Sequence, residues 1–220
     1  FIASKGKNFP TNLARQRSAS EQAITAFWAK LSLLRDERAD AVTEVRARLD
    51  RLPTIRKEVD DFKLTVPEMA AFYTGTINLL IEISRPSDSA NAQAEITALL
   101  TARALLGSAK EAAGLERAMG ATGLGGGFTE PVYSRYLRLN GAQTALLSEA
   151  FGALNTPEGL SRIQEKQAFK AIQSARKTIN SGVDSRAFGD LTAGKWFAIS
   201  TAWIDLLREE ELKLVNAVTQ

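Results

Sequence analysis

The chain has 220 residues, 45% of them hydrophobic and 24% charged, enough apolar content for a sizeable core. It holds no cysteine and no histidine, which excludes disulfide frameworks, Cys/His zinc sites, histidine-ligated haem and Ser-His or Cys-His catalytic pairs. With 28 basic and 25 acidic residues the formal charge is +3, too balanced for a dedicated nucleic-acid binder, and no run of eighteen apolar residues offers a membrane span.

The chain opens Phe1-Ile2-Ala3-Ser4-Lys5, without an initiator methionine, and reads as a piece of a longer protein. From about Leu13 to Leu52 a helical pattern runs without internal Gly or Pro, long enough at 1.5 Å per residue to reach about 55–60 Å. Its apolar stripe passes through Ile24, Phe27, Trp28, Leu31, Leu34, Val42, Val45 and Leu49. Pro53 ends or kinks it, because proline lacks the next donor. A shorter segment spans Thr54 to Leu64. Thr65-Val66-Pro67-Glu68 then has the form of a capping box. The helix it opens places Met69, Phe72, Tyr73, Ile77, Leu80 and Ile83 on one face, and Arg85-Pro86-Ser87 stops it.

The next helix is expected from near Asp88 to about Met119. Residues 120–127 contain five glycines and predict a break. Thr129-Glu130-Pro131 restarts a helix that runs to about Leu154. Thr156-Pro157-Glu158 repeats that signal and predicts one helix fading at Asn180-Ser181-Gly182. A last helix begins around Thr192 and carries Trp196, Phe197, Ile199, Trp203, Leu206 and Leu207. Trp28, Trp196 and Trp203 read as core anchors. Seven or so helices joined by short loops predict an all-α fold, an elongated arrangement of two stacked helical bundles sharing long helices.

Few segments offer chemistry. The glycine stretch follows a helix rather than a strand, and Phe128-Thr129 stands where a P-loop has its lysine, so it reads as a connection and not a nucleotide site. Between Leu99 and Ala113 the apolar stripe narrows to small residues where Lys110, Gly114 and Arg117 occur. Arg103, Lys110 and Arg117 recur every seven residues and line one border of that stripe. A partly desolvated guanidinium there suits a planar oxyanion such as nitrate, nitrite or a carboxylate. The plainer reading is a solvated border paired with Glu111 and Glu116. Arg176, Lys177, Arg186 and Lys195 read either as additions to an anion site or as surface charges. Asp60-Asp61 and Glu209-Glu210-Glu211 read as solvated faces, so neither a catalytic group nor a metal ligand set is expected.

The run Lys110-Glu111-Ala112-Ala113-Gly114-Leu115-Glu116-Arg117-Ala118 resembles the characteristic segment of the nitrate- and nitrite-sensing domain family. Leu52-Pro53-Thr54-Ile55-Arg56 with Val59-Asp60 is similar to that family's arginine segment. Tyr73 to Leu80 resembles its tyrosine-bearing helix, and Trp196-Phe197 with Thr201, Ile204-Asp205 and Leu207-Arg208 its closing helix.

The resemblance implies one sensor module over residues 1–220, built of two sub-bundles and acting as the input of a bacterial receptor. It implies a small anion as ligand, a homodimer in the full receptor, and no cofactor, catalysis, nucleic acid or membrane insertion. Arg117 and Arg56 are the ligand-binding residues by motif, with Lys110 and Arg176 beside them. The family's first helix carries a Glu-Arg-Gly segment whose arginine helps hold the anion, and this chain begins after that place. The expected setting is extracytoplasmic, with a cytosolic antiterminator as the other. A helical dimerisation module, or a domain of the same fold taking a carboxylate or an amine, is the alternative function.

Overall fold

The computed structural model describes residues 10–31, 39–83 and 94–218. All regular structure among them is helical, as expected, in nine helices. They are α1 (Pro10–Leu31), α2 (Ala39–Asp50), α3 (Leu52–Asp60), α4 (Val66–Ile83), α5 (Ala94–Gly126), α6 (Glu130–Ala153), α7 (Pro157–Glu165), α8 (Gln167–Gly182) and α9 (Ala193–Val218). None is long and apolar enough to cross a membrane. The chain divides into two compact units, Phe1–Ile83 and Ser84–Gln220.

In the first unit α2 packs on α3 and α4, around buried Val45, Leu52, Ile55 and Val59. Pro53 in the first turn of α3 marks the boundary with α2. The Phe62 and Lys63 amides bond the Val59 and Glu58 carbonyls (3.2 and 2.8 Å), closing α3 with Phe62 in the left-handed region (φ 55°). The capping box forms as expected. Thr65 N–H donates to Glu68 Oε2 (2.8 Å), and Glu68 N–H donates to Thr65 Oγ1 (3.4 Å).

Three expectations for this half need correction or lie outside the description. The long first helix is seen as α1 and α2, with 32–38 outside the described residues, so the longest described helix is α5 at 33 residues. The stop at Arg85-Pro86-Ser87 and the start near Asp88 also fall outside. Trp28 is only half-buried; Arg46 covers its ring at 4.4 Å from the centroid and Phe27 meets it edge-on.

In the second unit α5 lies against both α6 and α9. Trp196, Trp203 and Tyr136 are fully buried with Leu106, Ile163, Ile172 and Ile179, so two of the three tryptophans anchor a core. The expected break falls only at the end of the glycine stretch: α5 continues to Gly126 and turns at Gly127 (φ 97°). Gly120 and Gly123 answer a packing demand. A Cβ on Gly120 would stand 2.4 Å from the Trp196 indole, and one on Gly123 would stand 2.2 Å from the Phe128 ring.

The helix expected over 157–182 is two helices, broken where Lys166 adopts an extended conformation (ψ 144°). Buried positions explain it. Ile163 is followed on the core side by Phe169, Ile172, Ala175 and Ile179, and one straight helix would carry Ile163 out of phase with that stripe. The break resets the phase. Upstream, α6 ends in a Schellman motif with Asn155 at φ 51°, where the Asn155 and Thr156 amides bond the Gly152 and Phe151 carbonyls (3.0 and 3.1 Å).

Candidate functional site

Arg117 lies late on α5, on the side that faces α9. Its backbone is held first: Trp196 Nε1–H donates to the Arg117 carbonyl (2.9 Å), an approach that the missing side chain of Gly120 permits. The side chain then crosses to α9. Its Cζ lies 4.5 Å from the centroid of the Phe197 ring, within cation–π range, and Nη1 donates to Thr201 Oγ1 (2.8 Å). The Thr201 hydroxyl donates in turn to the Phe197 carbonyl (2.7 Å), so its own hydrogen is committed and it meets Arg117 as an acceptor.

No carboxylate oxygen among the described residues comes within ion-pairing distance of Arg117. Burial pulls its guanidinium below the usual arginine value, and the more distant Asp205 opposes that shift. The group stays charged, partly stripped of water and in direct ion pair with no carboxylate among the described residues. A planar oxyanion offers what this fork lacks: two acceptors and a negative charge.

The preceding residue has the opposite fate. Glu116 points to the other side of α5 and is 1% exposed. Its carboxylate takes both teeth of the Arg176 fork on α8, from Nε at 2.8 Å and Nη2 at 2.6 Å. Gln143 on α6 donates to Glu116 Oε2 (2.8 Å) while its own Oε1 accepts from Arg176 Nη2 (2.9 Å) and Trp203 Nε1 (2.8 Å). Asn140 Nδ2 adds a longer bond to Glu116 Oε1 (3.4 Å). Four helices, α5, α6, α8 and α9, are tied through one charged core cluster. Arg176 is therefore no surface charge: at 4% exposure it is the cation of a buried pair, and its fork is engaged by Glu116.

Lys110 and Arg103 sit on the same border of α5 as Arg117, as their spacing predicts. Their partner is Glu211 of α9, bonded to Lys110 Nζ and 3.9 Å from Arg103 Nε. The border faces a helix and pairs with Glu211, while Glu116 is taken by Arg176. Arg56 belongs to the first unit. It bonds Glu21 and donates to Ser20 Oγ (2.7 Å), while neighbouring Arg17 takes Asp60 with both Nη atoms at 2.9 Å. Asp60 is thus a cross-helix partner rather than part of a purely solvated face.

Sequence reasoning missed the cluster of Glu116, Gln143 and Arg176, and it noted Thr201 and Phe197 only as parts of a resembling segment. A pocket of about 560 Å³ at the other end of α5 is walled by Leu99, Leu106, Phe151 and Leu214, with Arg162 and Lys213 at its edge. It contains none of the expected site residues. No group of three Asp or Glu gathers among the described residues to hold a metal.

A family model described as nitrate and nitrite sensing matches residues 1–219. A nitrate regulatory protein of Klebsiella oxytoca is 26% identical over 224 residues, a match covering 98% of this chain and 56% of that protein. The chain thus spans little more than half the length of that relative. No solved structure matches.

Proposed function

We propose, since the chain belongs to the nitrate- and nitrite-sensing family, that it is a sensor domain that takes nitrate or nitrite on the guanidinium of Arg117. The observation that carries this reading is the state of that group. It is half-buried, stacked on Phe197, bonded to a neutral hydroxyl and without a carboxylate at ion-pairing distance among the described residues. Lys110, seven residues earlier on the same border, is paired with Glu211, so Arg117 carries the site's unpaired positive charge. Arg176 joins as a ligand only by surrendering Glu116, and Arg56 of the first unit is held by Glu21.

Sensing requires the anion to bind one helix arrangement more tightly than another, because equal affinity shifts nothing. Arg117 touches α9 through three residues, so α9 is the element whose packing the anion biases and the route to an output module. The naming of the Klebsiella oxytoca relative as a nitrate regulatory protein supports a regulatory output. The domain binds the anion without turnover.

The test is thermal melting with sodium nitrate or nitrite against sodium chloride at matched ionic strength. Binding to the folded state raises stability by about 2.7 kcal/mol at a hundred times Kd, and chloride controls for screening. Arg117→Ala abolishes the nitrate-specific part, and Arg117→Lys, which keeps charge without the fork, loses most of it. Equal melting shifts in nitrate and chloride would overturn the proposal.

A further inference from the structure

We infer that Thr201 and Phe197 are the specificity-determining positioning residues of this anion site: together they fix the plane of the Arg117 guanidinium so that its remaining donors meet a planar, two-toothed acceptor. The inference rests on the reading of Arg117 given above and adds what sets its selectivity. A free arginine side chain samples many rotamers, and any acceptor it meets must first immobilise it. Here that ordering precedes the ligand. One Nη1 donor is fixed on Thr201 Oγ1 at 2.8 Å, and the carbon at the centre of the fork is fixed over the Phe197 ring at 4.5 Å. Two anchors, a point and a face, orient a planar group.

The polarity of the Thr201 contact matters as much as its distance. Because the hydroxyl hydrogen goes to the Phe197 carbonyl (2.7 Å), the threonine cannot turn to donate towards an incoming anion and acts only as an acceptor for Arg117. It competes with no ligand acceptor for a full charge, since it is neutral, and it holds the guanidinium without quenching it. The contrast with Arg176 is direct, because that fork is closed by the Glu116 carboxylate. Phe197 and Thr201 stand one turn apart on α9, and the four-residue spacing delivers ring and hydroxyl to the same arginine. Trp196, adjacent to Phe197, holds the Arg117 carbonyl. The segment Trp196-Phe197 with Thr201 is thereby a fitted holder for one side chain. A held fork distinguishes nitrate, which offers two coplanar oxygens, from chloride, which offers a sphere.

The experiment titrates sodium nitrate and sodium chloride into the wild-type protein and into Thr201→Val, Thr201→Ser and Phe197→Leu, with unliganded melting temperatures recorded alongside. Freeing one immobilised side chain predicts a nitrate Kd about 2- to 10-fold weaker for Thr201→Val and for Phe197→Leu, with the nitrate-to-chloride preference falling by a similar factor. Thr201→Ser restores the acceptor and keeps wild-type affinity within about 2-fold. A role confined to packing would instead lower melting temperature without moving the preference, and Thr201→Ser would then behave no better than Thr201→Val; either result overturns the inference. If wild type binds nitrate and Arg117→Ala does not, yet Thr201→Val and Phe197→Leu bind as wild type, the inference fails and the Arg117 site stands. If wild type cannot tell nitrate from chloride, both fail. Should Thr201→Val not fold, Phe197→Leu with Thr201→Ser as control decides the same question.

Discussion

Glu116 and Arg117 are neighbours in sequence and opposites in environment. On one side of α5, Glu116 meets Arg176, Gln143 and Asn140, so every charge has a partner of opposite sign or a matched hydrogen bond. On the other side, Arg117 meets an aromatic ring and a hydroxyl, and its charge is left over. The same residue type, arginine, closes a core on α8 and leaves an opening on α5. What separates structure from site is therefore the completeness of the pairing. Burial alone does not mark function, since Arg176 is the more buried of the two.

The largest test of that contrast acts on the closed side. Arg176→Met leaves the Glu116 carboxylate uncompensated inside the core and is expected to cost about 3–5 kcal/mol in urea unfolding. Arg176→Met combined with Glu116→Leu removes both charges, and most of that loss should return, because a buried pair often does no better than well-packed apolar groups. A single substitution costing under about 1 kcal/mol would place the pair among ordinary surface bridges and dissolve the comparison.

The stripes explain how much of this was legible. On α5 the buried positions Ala102, Leu106, Ala109 and Ala113 advance by four, three and four, and the next step of three lands on Glu116. On α8, Ile172 is followed four residues later by Arg176 and then by Ile179. On α6, Gln143 stands seven after Tyr136 and four before Leu147. Each polar residue occupied a core position of its own helix, a signal present in the sequence and unread. What spacing could not give was which helices face each other, and so which polar intruder met which. Helix starts at Thr129 and Thr156 were readable from the prolines in their first turns, which act locally, and Thr192 caps its helix through the Lys195 amide (3.2 Å). Gly120 and Gly123 misled for the converse reason, since they admit Trp196 and Phe128 from elsewhere in the chain. Arg117 was singled out by its spacing and family segment, while its contacts on α9 required the tertiary fold.

A second substitution disturbs the open side without touching it. Gly120→Ala puts a methyl 2.4 Å from the Trp196 indole, whose ring is buried and whose Nε1–H holds the Arg117 carbonyl. Overpacking of this kind costs about 1–3 kcal/mol, outweighing the helix-propensity gain of alanine, and nitrate affinity should weaken as the holder shifts. Gly125→Ala is the control: nothing lies within 4 Å of its Cβ position, and it should gain about 0.5–1 kcal/mol. Equal melting temperatures for the two variants would remove the steric account of the glycine stretch.

Tyr136 sharpens the comparison from the core itself. It is fully buried among Phe128, Tyr133 and Trp196, and its hydroxyl finds no hydrogen-bond partner among the described residues. Tyr136→Phe therefore removes an unsatisfied group and should raise stability by about 1 kcal/mol. Burial, aided by Glu116, pushes the phenol above its ordinary value, near 10. Below that value both folded and unfolded tyrosine are protonated, and pH has no leverage through this group. Above it the unfolded chain ionises while the folded one resists, so wild-type stability falls as pH rises past about 10. The margin of Tyr136→Phe over wild type should widen there. A margin that stays flat from neutral pH to the alkaline limb would show the phenol to be solvated or paired.

The smallest effect on stability is expected at the residue with the largest effect on binding. Arg117→Ala deletes one hydrogen bond to a neutral hydroxyl and one contact with Phe197, and neither partner is left as a stranded charge. Thr201 keeps its bond to the Phe197 carbonyl, so no buried donor is orphaned. The cation–π contact is worth about 0.5–1 kcal/mol, and relief of a desolvated, unmatched charge offsets part of it. Unliganded Arg117→Ala should therefore melt within about 1 kcal/mol of wild type, several-fold less than Arg176→Met. In nitrate the gap between the two variants should narrow, because wild type gains about 2.7 kcal/mol at a hundred times Kd and Arg117→Ala gains none. That ligand dependence of the Arg117→Ala deficit, measured by melting with and without nitrate, separates a residue that builds the fold from one that uses it. A loss as large as that of Arg176→Met in the absence of any anion would mean that Arg117 already has a partner of full charge, and the open side of α5 would then be as closed as the other.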